Sequence, residues 1–191
     1  PAPTGDDAQL LDVMDTIPQE GHHFVVLHIM GSHLRYGDRY PTGFPVIPGN
    51  NKKISEYDTS IAYTNHILQK MTEKARKTLH ASVIMYVSDH SEDMKYTHGT
   101  GHFTFDMTRI PLWIYLSPSY QQKYKKKAES LRRHESCVFT NDLVFDTLCG
   151  LIGADNYGRT EAYDLSSPSY ALTEKEALTM HGKVRISDDV H

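Results

Sequence analysis

The chain has 191 residues, a length that suits one domain or most of one. Hydrophobic residues make up 39% of the sequence and charged residues 23%, which is typical of a globular protein with a real core. The net charge of −4 gives no support for nucleic-acid binding. No apolar run is long enough to span a membrane, and no signal peptide is recognisable. The two cysteines, Cys137 and Cys149, have no metal-ligand spacing and do not indicate a disulfide framework.

The first 22 residues predict a flexible lead-in plus a short helix. The helix spans residues 6–15, with Asp6 or Asp7 as its cap and Pro18 as its stop. The uncharged run Phe24–Met30 then predicts a buried strand that ends at Gly31-Ser32-His33. Because the chain opens on Pro1 without a Met, we expect a mature or excised piece of a longer protein.

A βαβ unit is predicted in the middle of the chain. Residues 35–51 are rich in Gly, Pro and aromatic residues and predict an irregular loop. Residues 53–77 repeat apolar positions every three to four residues and predict an amphipathic helix. A second buried strand follows at 82–88, so its crossover from the first strand should be right-handed and the two strands parallel.

The last third of the chain predicts one more strand, two helices and a tail. The strand is Ile110–Leu116, with Pro111 at its entry. A helix that opens at Ser117 carries the basic run 123–133, which is either a solvated face or a patch for anionic lipid headgroups. Thr140-Asn141-Asp142 should cap a helix over 143–152, and residues 154–191 predict an irregular polar tail. The fold class expected is α/β, a mostly parallel sheet flanked by helices.

Candidate chemistry lies at the predicted strand ends. Asp89 and His90 follow the strand 82–88, and His98 comes eight residues after His90. In an open α/β sheet, ligands bind at the carboxyl ends of the strands. A carboxylate with two imidazoles suits a divalent metal such as zinc. The alternative is that Asp89 caps a turn and His90 is a loop histidine without a ligand role. For His33, at the end of the other predicted strand, a ligand role and a purely structural role are about equally supported.

Four motifs in order resemble the bacterial phosphoethanolamine transferases of the sulfatase/alkaline phosphatase superfamily. They are LHIMGSH at 27–33, YDTSIAYTN at 57–65, YVSDHSE at 86–92 followed by His98-Gly99, and IPLW at 110–113. The resemblance runs from about Phe24 to Gly153. It implies that residues 1–153 are the C-terminal part of a sulfatase-like catalytic domain, and therefore an incomplete fold.

The resemblance also implies roles for individual residues. Asp89 and His90 match the pair that binds the main zinc ion in the family. His33 and His98 match two histidines that lie beside the transferred phosphate and can help to hold a second zinc. His102 is a nearby substitute for His98 in substrate binding. Glu92 matches a Glu whose expected work is to orient the Asp-His loop or a ligand, unless it is simply a solvated loop carboxylate.

The activity that the resemblance implies is zinc-dependent transfer of phosphoethanolamine from phosphatidylethanolamine to lipid A or another envelope glycan. Zinc would polarise a phosphoryl oxygen and activate a Thr nucleophile. The nucleophilic Thr and an acidic zinc ligand of the family have no match before Phe24. We therefore expect the chain to be inactive alone and to belong to an inner-membrane enzyme. Its catalytic domain would lie in the periplasm, with the membrane segment outside this chain and no nucleic-acid partner.

Two departures and two alternatives remain at this point. Ser91 and Leu34 stand where the family usually has glycine, so the two turns must differ if positive φ is needed there. The loop over 35–57 also lacks the cysteines that many family members pair.

A hydrolase of the same superfamily, a sulfatase or phosphodiesterase, shares the Asp-His and His-Gly elements. The other alternative is a degenerate, non-catalytic domain that binds envelope sugars or lipid headgroups.

Overall fold

The computed structural model describes residues 6–99, 101–154, 158–180 and 182–189. The chain divides into two compact units, Pro1–Ala81 and Ser82–His191. The candidate residue His33 belongs to the first unit, whereas Asp89, His90 and His98 belong to the second.

The first unit is built on two helices, α1 (Leu10–Asp15) and α2 (Lys52–Lys77). A 3-10 turn over Asp7–Gln9 leads into α1, and the Asp6 carboxylate caps that turn by accepting from the Ala8 amide at 2.9 Å. Asn51 caps α2 in the same way, accepting from the Ile54 amide at 3.0 Å. These side chains satisfy amide groups that have no partner at a helix start. Both helices were predicted from the sequence at nearly these bounds.

The core of the first unit lies between α1 and α2. Tyr63, Ile67 and Met71 are four residues apart, so they share one face of α2 and pack against Met14 of α1. All four side chains are at most 6% exposed. The Tyr63 hydroxyl donates to the Asp6 carboxylate at 2.5 Å, and burial together with this hydrogen bond raises the pKa of Tyr63. The cap of the first turn is thereby tied to the core.

The predicted buried strand Phe24–Met30 is wrong for this structure. Residues 22–30 have no regular secondary structure, and Phe24, Val25 and Val26 are 64%, 45% and 75% exposed. A strand needs a neighbouring strand to satisfy its backbone groups, and within the described residues none pairs with this segment. The apolar run alone therefore did not make a strand, and the βαβ unit expected around α2 is not formed.

The second unit begins with an antiparallel pair, β1 (Val83–Val87) and β2 (Leu112–Leu116). The register runs from Val83 opposite Leu116 to Val87 opposite Leu112, and Tyr86 stacks on Trp113 with ring centroids 5.8 Å apart. Each strand was predicted, but the expected mostly parallel sheet is not observed among the described residues. The long connection between the two strands can return the chain in either direction, so the pattern of residues does not fix the pairing.

Three helices follow the strand pair: α3 (Pro118–Lys123), α4 (Lys125–Arg133) and α5 (Val144–Ile152). The Ser117 hydroxyl caps α3 by accepting from the Tyr120 amide at 3.2 Å. A 3-10 turn over Asn141–Leu143 precedes α5, and Gly153 ends α5 with a φ of 75°. The helices predicted for this region are therefore present, with the basic one divided at Tyr124.

The polar tail packs against α5 through a buried carboxylate. Asp164 is 1% exposed and accepts from the Ser166 amide and hydroxyl, both at 2.7 Å, while Arg159 donates to it at 2.7 Å. A Cβ at Gly150 would lie 1.9 Å from an Asp164 oxygen, so only glycine permits this approach. Two short antiparallel strands, β3 (Leu178–Thr179) and β4 (Val184–Arg185), follow.

Candidate functional site

The candidate site begins where β1 ends. Asp89 is 86% exposed, and its carboxylate accepts a 3.0 Å hydrogen bond from the His90 amide. The Asp89 carbonyl accepts from the side-chain amide of Asn141 at 2.5 Å, which ties the loop to the 3-10 turn before α5. The Ser88 hydroxyl donates to the His90 carbonyl at 2.7 Å. These contacts hold the Asp-His backbone while leaving the Asp89 carboxylate in solvent.

The tautomer of His90 follows from the partner of its Nδ1. That nitrogen lies 2.9 Å from the Ser91 carbonyl oxygen. A carbonyl oxygen can only accept, so Nδ1 carries the proton and Nε2 carries the lone pair of the neutral ring. The Nε2 atom is 4.0 Å from an Asp89 oxygen. The side chains of the Asp-His pair therefore bring an oxygen donor and a nitrogen donor to one place.

His98 is held in the same tautomer by a buried carboxylate. Glu92 is 5% exposed and accepts from the His98 backbone amide at 2.6 Å and from its Nδ1 at 3.0 Å. The carboxylate accepts a hydrogen bond from the Nδ1–H group, so the lone pair of the neutral ring is again on Nε2. The rings of His90 and His98 lie 4.2 Å apart between centroids. Two imidazoles with matching tautomers are thus neighbours in one loop.

This arrangement is the one that metal-binding histidines adopt. Such histidines almost always donate their other ring N–H to a carbonyl or carboxylate, which fixes the ring orientation. Oxygen and nitrogen donors of this kind suit zinc. Within the described ranges, however, no group of three or more His, Cys, Asp or Glu side chains is arranged to hold a metal. The donor types fit zinc, and a complete site would need further ligands.

Asp93 organises the loop that carries His98, and it was missed in the sequence analysis. Asp93 is 8% exposed, and its carboxylate accepts hydrogen bonds from the amides of Lys95 and Tyr96 at 2.7 and 2.9 Å. It also accepts from the Thr104 hydroxyl at 2.8 Å, which closes the loop across eleven residues. The hydrogen bonds from the Tyr96 amide and the Thr104 hydroxyl lower the pKa of Asp93. An Asp that accepts from amides two and three residues ahead is a common turn pattern, so the turn was recognisable but its tie to Thr104 was not.

Positive φ in this loop falls on Thr97 and Gly99, at 56° and 79°, which flank His98. Ser91 does not adopt a left-handed φ, and its amide donates to the Met107 carbonyl at 2.8 Å. Serine in place of the family's glycine therefore causes no backbone strain here. Leu34 is likewise outside the left-handed region, which is adopted instead by the next residue, Arg35, at 62°.

His102 stacks on Tyr96, with ring centroids 5.0 Å apart and the rings nearly parallel at 4°. The ammonium group of Lys95 lies 4.6 Å from the centroid of the same Tyr96 ring. His102 is exposed, and this stacking is a sufficient structural reason for its orientation. Its predicted role as a substitute for His98 stays a prediction.

The turn that carries His33 lies in the first unit and is held by Asp7. The two oxygens of the Asp7 carboxylate accept from the amides of Met30 and Gly31, both at 2.9 Å. Gly31 has a φ of 52°, and the His33 amide donates to the Met30 carbonyl at 3.2 Å. The His33 side chain is exposed. In the sequence Asp7 was only an alternative cap for α1, and its role at this turn was not predicted.

The two cysteines are separate in the second unit. Cys137 is exposed, Cys149 is buried in α5, and neither forms a disulfide. Within the part of the chain that is described, no helix is both long enough and apolar enough to cross a membrane.

Comparison with known proteins identifies relatives for most of this chain. The family model Sulfatase matches residues 2–154. The phosphoethanolamine transferase EptA of Salmonella typhimurium is 29% identical over 186 residues, which cover 86% of this chain and 34% of the relative. The Kdo(2)-lipid A phosphoethanolamine 7''-transferase of Escherichia coli is 27% identical, covering 78% and 30% respectively. The chain thus spans about a third of the length of the curated relatives it matches.

Solved structures of phosphoethanolamine transferase domains have a fold similar to that of this chain. The C-terminal periplasmic domain of the phosphoethanolamine transferase EptC from Campylobacter jejuni is 25% identical, with a TM-score of 0.66. The similarity covers 85% of this chain and 58% of that domain. The corresponding domain of Escherichia coli EptC, solved in complex with zinc, is 19% identical with a TM-score of 0.71, covering 91% and 54%. Because the matched model covers well over half of the sequence, this chain belongs to the sulfatase family, and the similarity to phosphoethanolamine transferases expected from its motifs is confirmed.

Proposed function

We propose that this protein transfers phosphoethanolamine from phosphatidylethanolamine to lipid A or another envelope glycan in a zinc-dependent reaction. Two relatives support the reaction, since one is a phosphoethanolamine transferase and another acts on Kdo(2)-lipid A by name. The zinc complex of the Escherichia coli EptC domain supports the metal. We also infer a periplasmic location, because the structural neighbours are periplasmic domains. The inner-membrane anchor would lie outside this chain.

The observation that carries this proposal is the pair of imidazoles after β1. Both His90 and His98 use Nδ1 to donate to an oxygen, and their rings are 4.2 Å apart. A buried carboxylate that orients a histidine through Nδ1, as Glu92 orients His98, is the arrangement usual around metal-binding histidines.

In this proposal Asp89 and His90 would hold the main zinc ion. When bound, zinc would withdraw charge from a phosphoryl oxygen and from the attacking hydroxyl. His98, and His33 from the turn that follows Met30, would contact the transferred phosphate and help to hold a second zinc. Glu92 positions His98 through its two hydrogen bonds. His102 remains an alternative to His98 for substrate binding.

The chemistry expected of these side chains is that of phosphoryl transfer in two steps. A Thr outside the matched motifs would form a bond to phosphorus while diacylglycerol leaves. An acceptor hydroxyl would then displace the Thr and take the phosphoethanolamine. Negative charge spreads over the phosphoryl oxygens in each step, and groups fixed beforehand stabilise it best.

Zinc binding to the 191-residue chain tests the metal part of this proposal. We expect isothermal titration to show zinc binding that is lost in His90→Ala and weakened at least tenfold in His98→Ala. His102→Ala is the matched control, because His102 lies in the same loop but stacks on Tyr96. Equal zinc affinity in the wild type and His90→Ala would contradict the proposed site.

Transfer itself is tested with the protein as its gene encodes it, supplied with fluorescent phosphatidylethanolamine and lipid A. The proposal predicts labelled lipid A with the wild type and a loss of at least a hundredfold with His98→Ala. Release of free phosphoethanolamine without labelled lipid A would favour a hydrolase of the same family. Zinc binding with neither product would favour a non-catalytic binding domain.

A further inference from the structure

The basic run 123–133 concentrates positive charge in one short segment of the chain. These 11 residues hold six of the chain's 20 Lys and Arg residues but only one, Glu129, of its 24 acidic residues. The charge of the run is therefore opposite to that of the chain as a whole, which is −4. The six cations are Lys123, Lys125, Lys126, Lys127, Arg132 and Arg133.

Lys123 ends α3, residues 125–133 of the run form α4, and most of the charge is exposed to solvent. Ala128 and Ser130 are buried at 3% and 0% exposure. Lys125, Lys126 and Glu129 are exposed, and Arg132 and Arg133 extend the same exposed surface three to four residues further along. Helix α4 therefore has one face that packs on the domain and one exposed face that is mostly cationic.

The cations of α4 have almost no internal ionic partners. Within the described residues, the one carboxylate in ion-pair range is Glu129, 3.8 Å from Lys125. The other recorded contacts are to neutral oxygens: Lys127 donates to the Gly150 carbonyl, Arg132 to the Gln121 amide oxygen at 2.5 Å, and Arg133 to the Ser130 hydroxyl at 3.2 Å. Within the described residues, most of the positive charge of this face is therefore not neutralised by a carboxylate.

Helix α2 shows how lysines are placed when they are only solvated. Lys52 and Lys77 are 88% and 76% exposed, and each lies within 3.5 Å of a glutamate one helical turn away. Lys74 pairs with Asp15 at 2.6 Å. Opposite charges at this spacing stabilise a helix, whereas like charges repel. In α4 Lys125 follows this arrangement with Glu129, but the sequence of the helix offers no second acidic residue for its other four cations.

The position of the lysines within α4 also opposes helix stability. Lys125, Lys126 and Lys127 form the first turn, where the helix dipole favours acidic side chains. Helix α2 also begins with two lysines and no acidic residue in its first turn. What distinguishes α4 is the density of its charge, five cations and one acidic residue in nine positions.

An aromatic ring lies at the start of this face. Tyr124 is 36% exposed, and the ammonium groups of Lys123 and Lys127 are 5.2 and 5.1 Å from its centroid. Tyrosine with flanking lysines suits the boundary between water and lipid, because the ring is partly apolar and the lysine stems can extend toward phosphates. The combination fits a dense, planar array of phosphate groups.

We propose that the exposed face of α4 binds the surface of an anionic phospholipid membrane. The choice of a membrane over nucleic acid rests on the proposed function, which places the domain in the periplasm. The attraction is electrostatic and therefore short-ranged, with a screening length of about 8 Å at physiological salt. Such a contact would orient the catalytic domain toward the bilayer that contains its lipid donor.

Vesicle co-sedimentation of the full 191-residue chain tests this proposal. The vesicles contain phosphatidylcholine alone or with 30% phosphatidylglycerol, without phosphatidylethanolamine and in the presence of EDTA. Neither the donor lipid nor a metal can then contribute, so the result is independent of the transferase proposal. We expect binding only to the anionic vesicles. It should fall about 25-fold in Lys125→Gln/Lys126→Gln, at about fivefold per lysine.

The matched control is Lys52→Gln/Lys77→Gln, which changes the net charge equally at exposed lysines of α2. A second pair, Arg132→Gln/Arg133→Gln, samples the other end of α4, and circular dichroism verifies that each variant is folded. An equal loss of binding in the α2 control would overturn the proposal. Binding to neutral vesicles, or binding to DNA without binding to anionic vesicles, would overturn it as well.

Discussion

Two turns in this chain each follow an apolar run and each present a histidine, yet they are built differently. The turn after Val87 continues a paired strand, and its histidines are fixed through Ser91 and Glu92. The turn after Met30 follows a segment without regular structure, in which Val26 is exposed whereas Leu27 and Ile29 pack against the core of the first unit. Within the described residues, the Asp7 carboxylate holds that second turn from outside it. Two turns that look alike in sequence are therefore held by different kinds of contact.

The difference has a consequence for what each turn can do alone. In the loop after β1, the rings of His90 and His98 are fixed by partners in the same loop, Ser91 and Glu92. The turn after Met30 instead depends on a carboxylate more than twenty residues away, that of Asp7. Substitutions at the two turns should therefore differ in size and in kind.

The largest effect is expected from Asp7→Ala. It leaves the amides of Met30 and Gly31 without their acceptor, and hydrogen bonds to a charged group are worth about 1.5–3 kcal/mol each. We expect a loss of about 3 kcal/mol in the free energy of unfolding, measured by urea denaturation. Asp12→Ala is the control, since Asp12 is exposed and should change stability by less than about 0.5 kcal/mol. Equal values for the two variants would mean that the turn does not depend on Asp7.

Glu92→Ala tests the other turn and should act on the ring of His98 more than on the fold. Removal of the buried acceptor of Nδ1 lets His98 populate both neutral tautomers, and a lost carboxylate of this kind typically costs 10–100-fold in metal affinity. Nitrogen NMR shifts would report the tautomer, and isothermal titration would report the zinc affinity. His90 is an internal control, because its Nδ1 donates to the Ser91 carbonyl, which the substitution leaves in place. An unchanged His98 spectrum would exclude Glu92 as its positioning residue.

A smaller effect is expected at Thr104, which closes the His98 loop by donating to Asp93. Thr104→Val should cost about 1 kcal/mol and Thr104→Ser much less, because serine keeps the hydroxyl. The hydrogen bonds from the Tyr96 amide and the Thr104 hydroxyl lower the pKa of Asp93. Its stabilising contribution is therefore present above the unfolded pKa, near 4, and is lost as the pH falls through the lower folded pKa.

The direction of this pKa shift is tested by measuring the free energy of unfolding as the pH is lowered. The difference between the wild type and Asp93→Asn should be constant around pH 6–7 and should shrink below about pH 4, where the wild-type carboxyl protonates. A difference that grew as the pH fell would mean that the pKa of Asp93 is raised in the folded state.

Local patterns in the sequence predicted much of the fold. The three-to-four spacing in α2, the cap before α5 and the uncharged run of β1 each lie within one element. Each was found close to its expected bounds, because the interactions that form these elements connect residues near in sequence. The resemblance to a known family identified the loop after β1 in the same way, from contiguous motifs.

What was missed depends on contacts between distant residues. No local pattern connects the residues involved in three of these contacts. They are the antiparallel pairing of β1 with β2, the hydrogen bond from Thr104 to Asp93, and the hydrogen bond from the Gly31 amide to Asp7. The convergence of His33 with Asp89 and His90 was inferred from the family resemblance, and it stays a prediction. Side-chain partners of this kind follow from tertiary packing, which composition and periodicity do not specify.

The smallest expected effect is also the most direct test of the contrast between the two turns. Val26→Thr and Val87→Thr make the same change, at a residue that is 75% exposed and at one paired with Leu112 in β1. Replacing a methyl group of a half-buried strand side chain by a hydroxyl should cost about 1 kcal/mol, whereas the exposed position should change by less than about 0.5 kcal/mol. Thermal unfolding of the two variants measures both. If Val26→Thr were as costly as Val87→Thr, the side chain of Val26 would be packed in solution and would not be exposed.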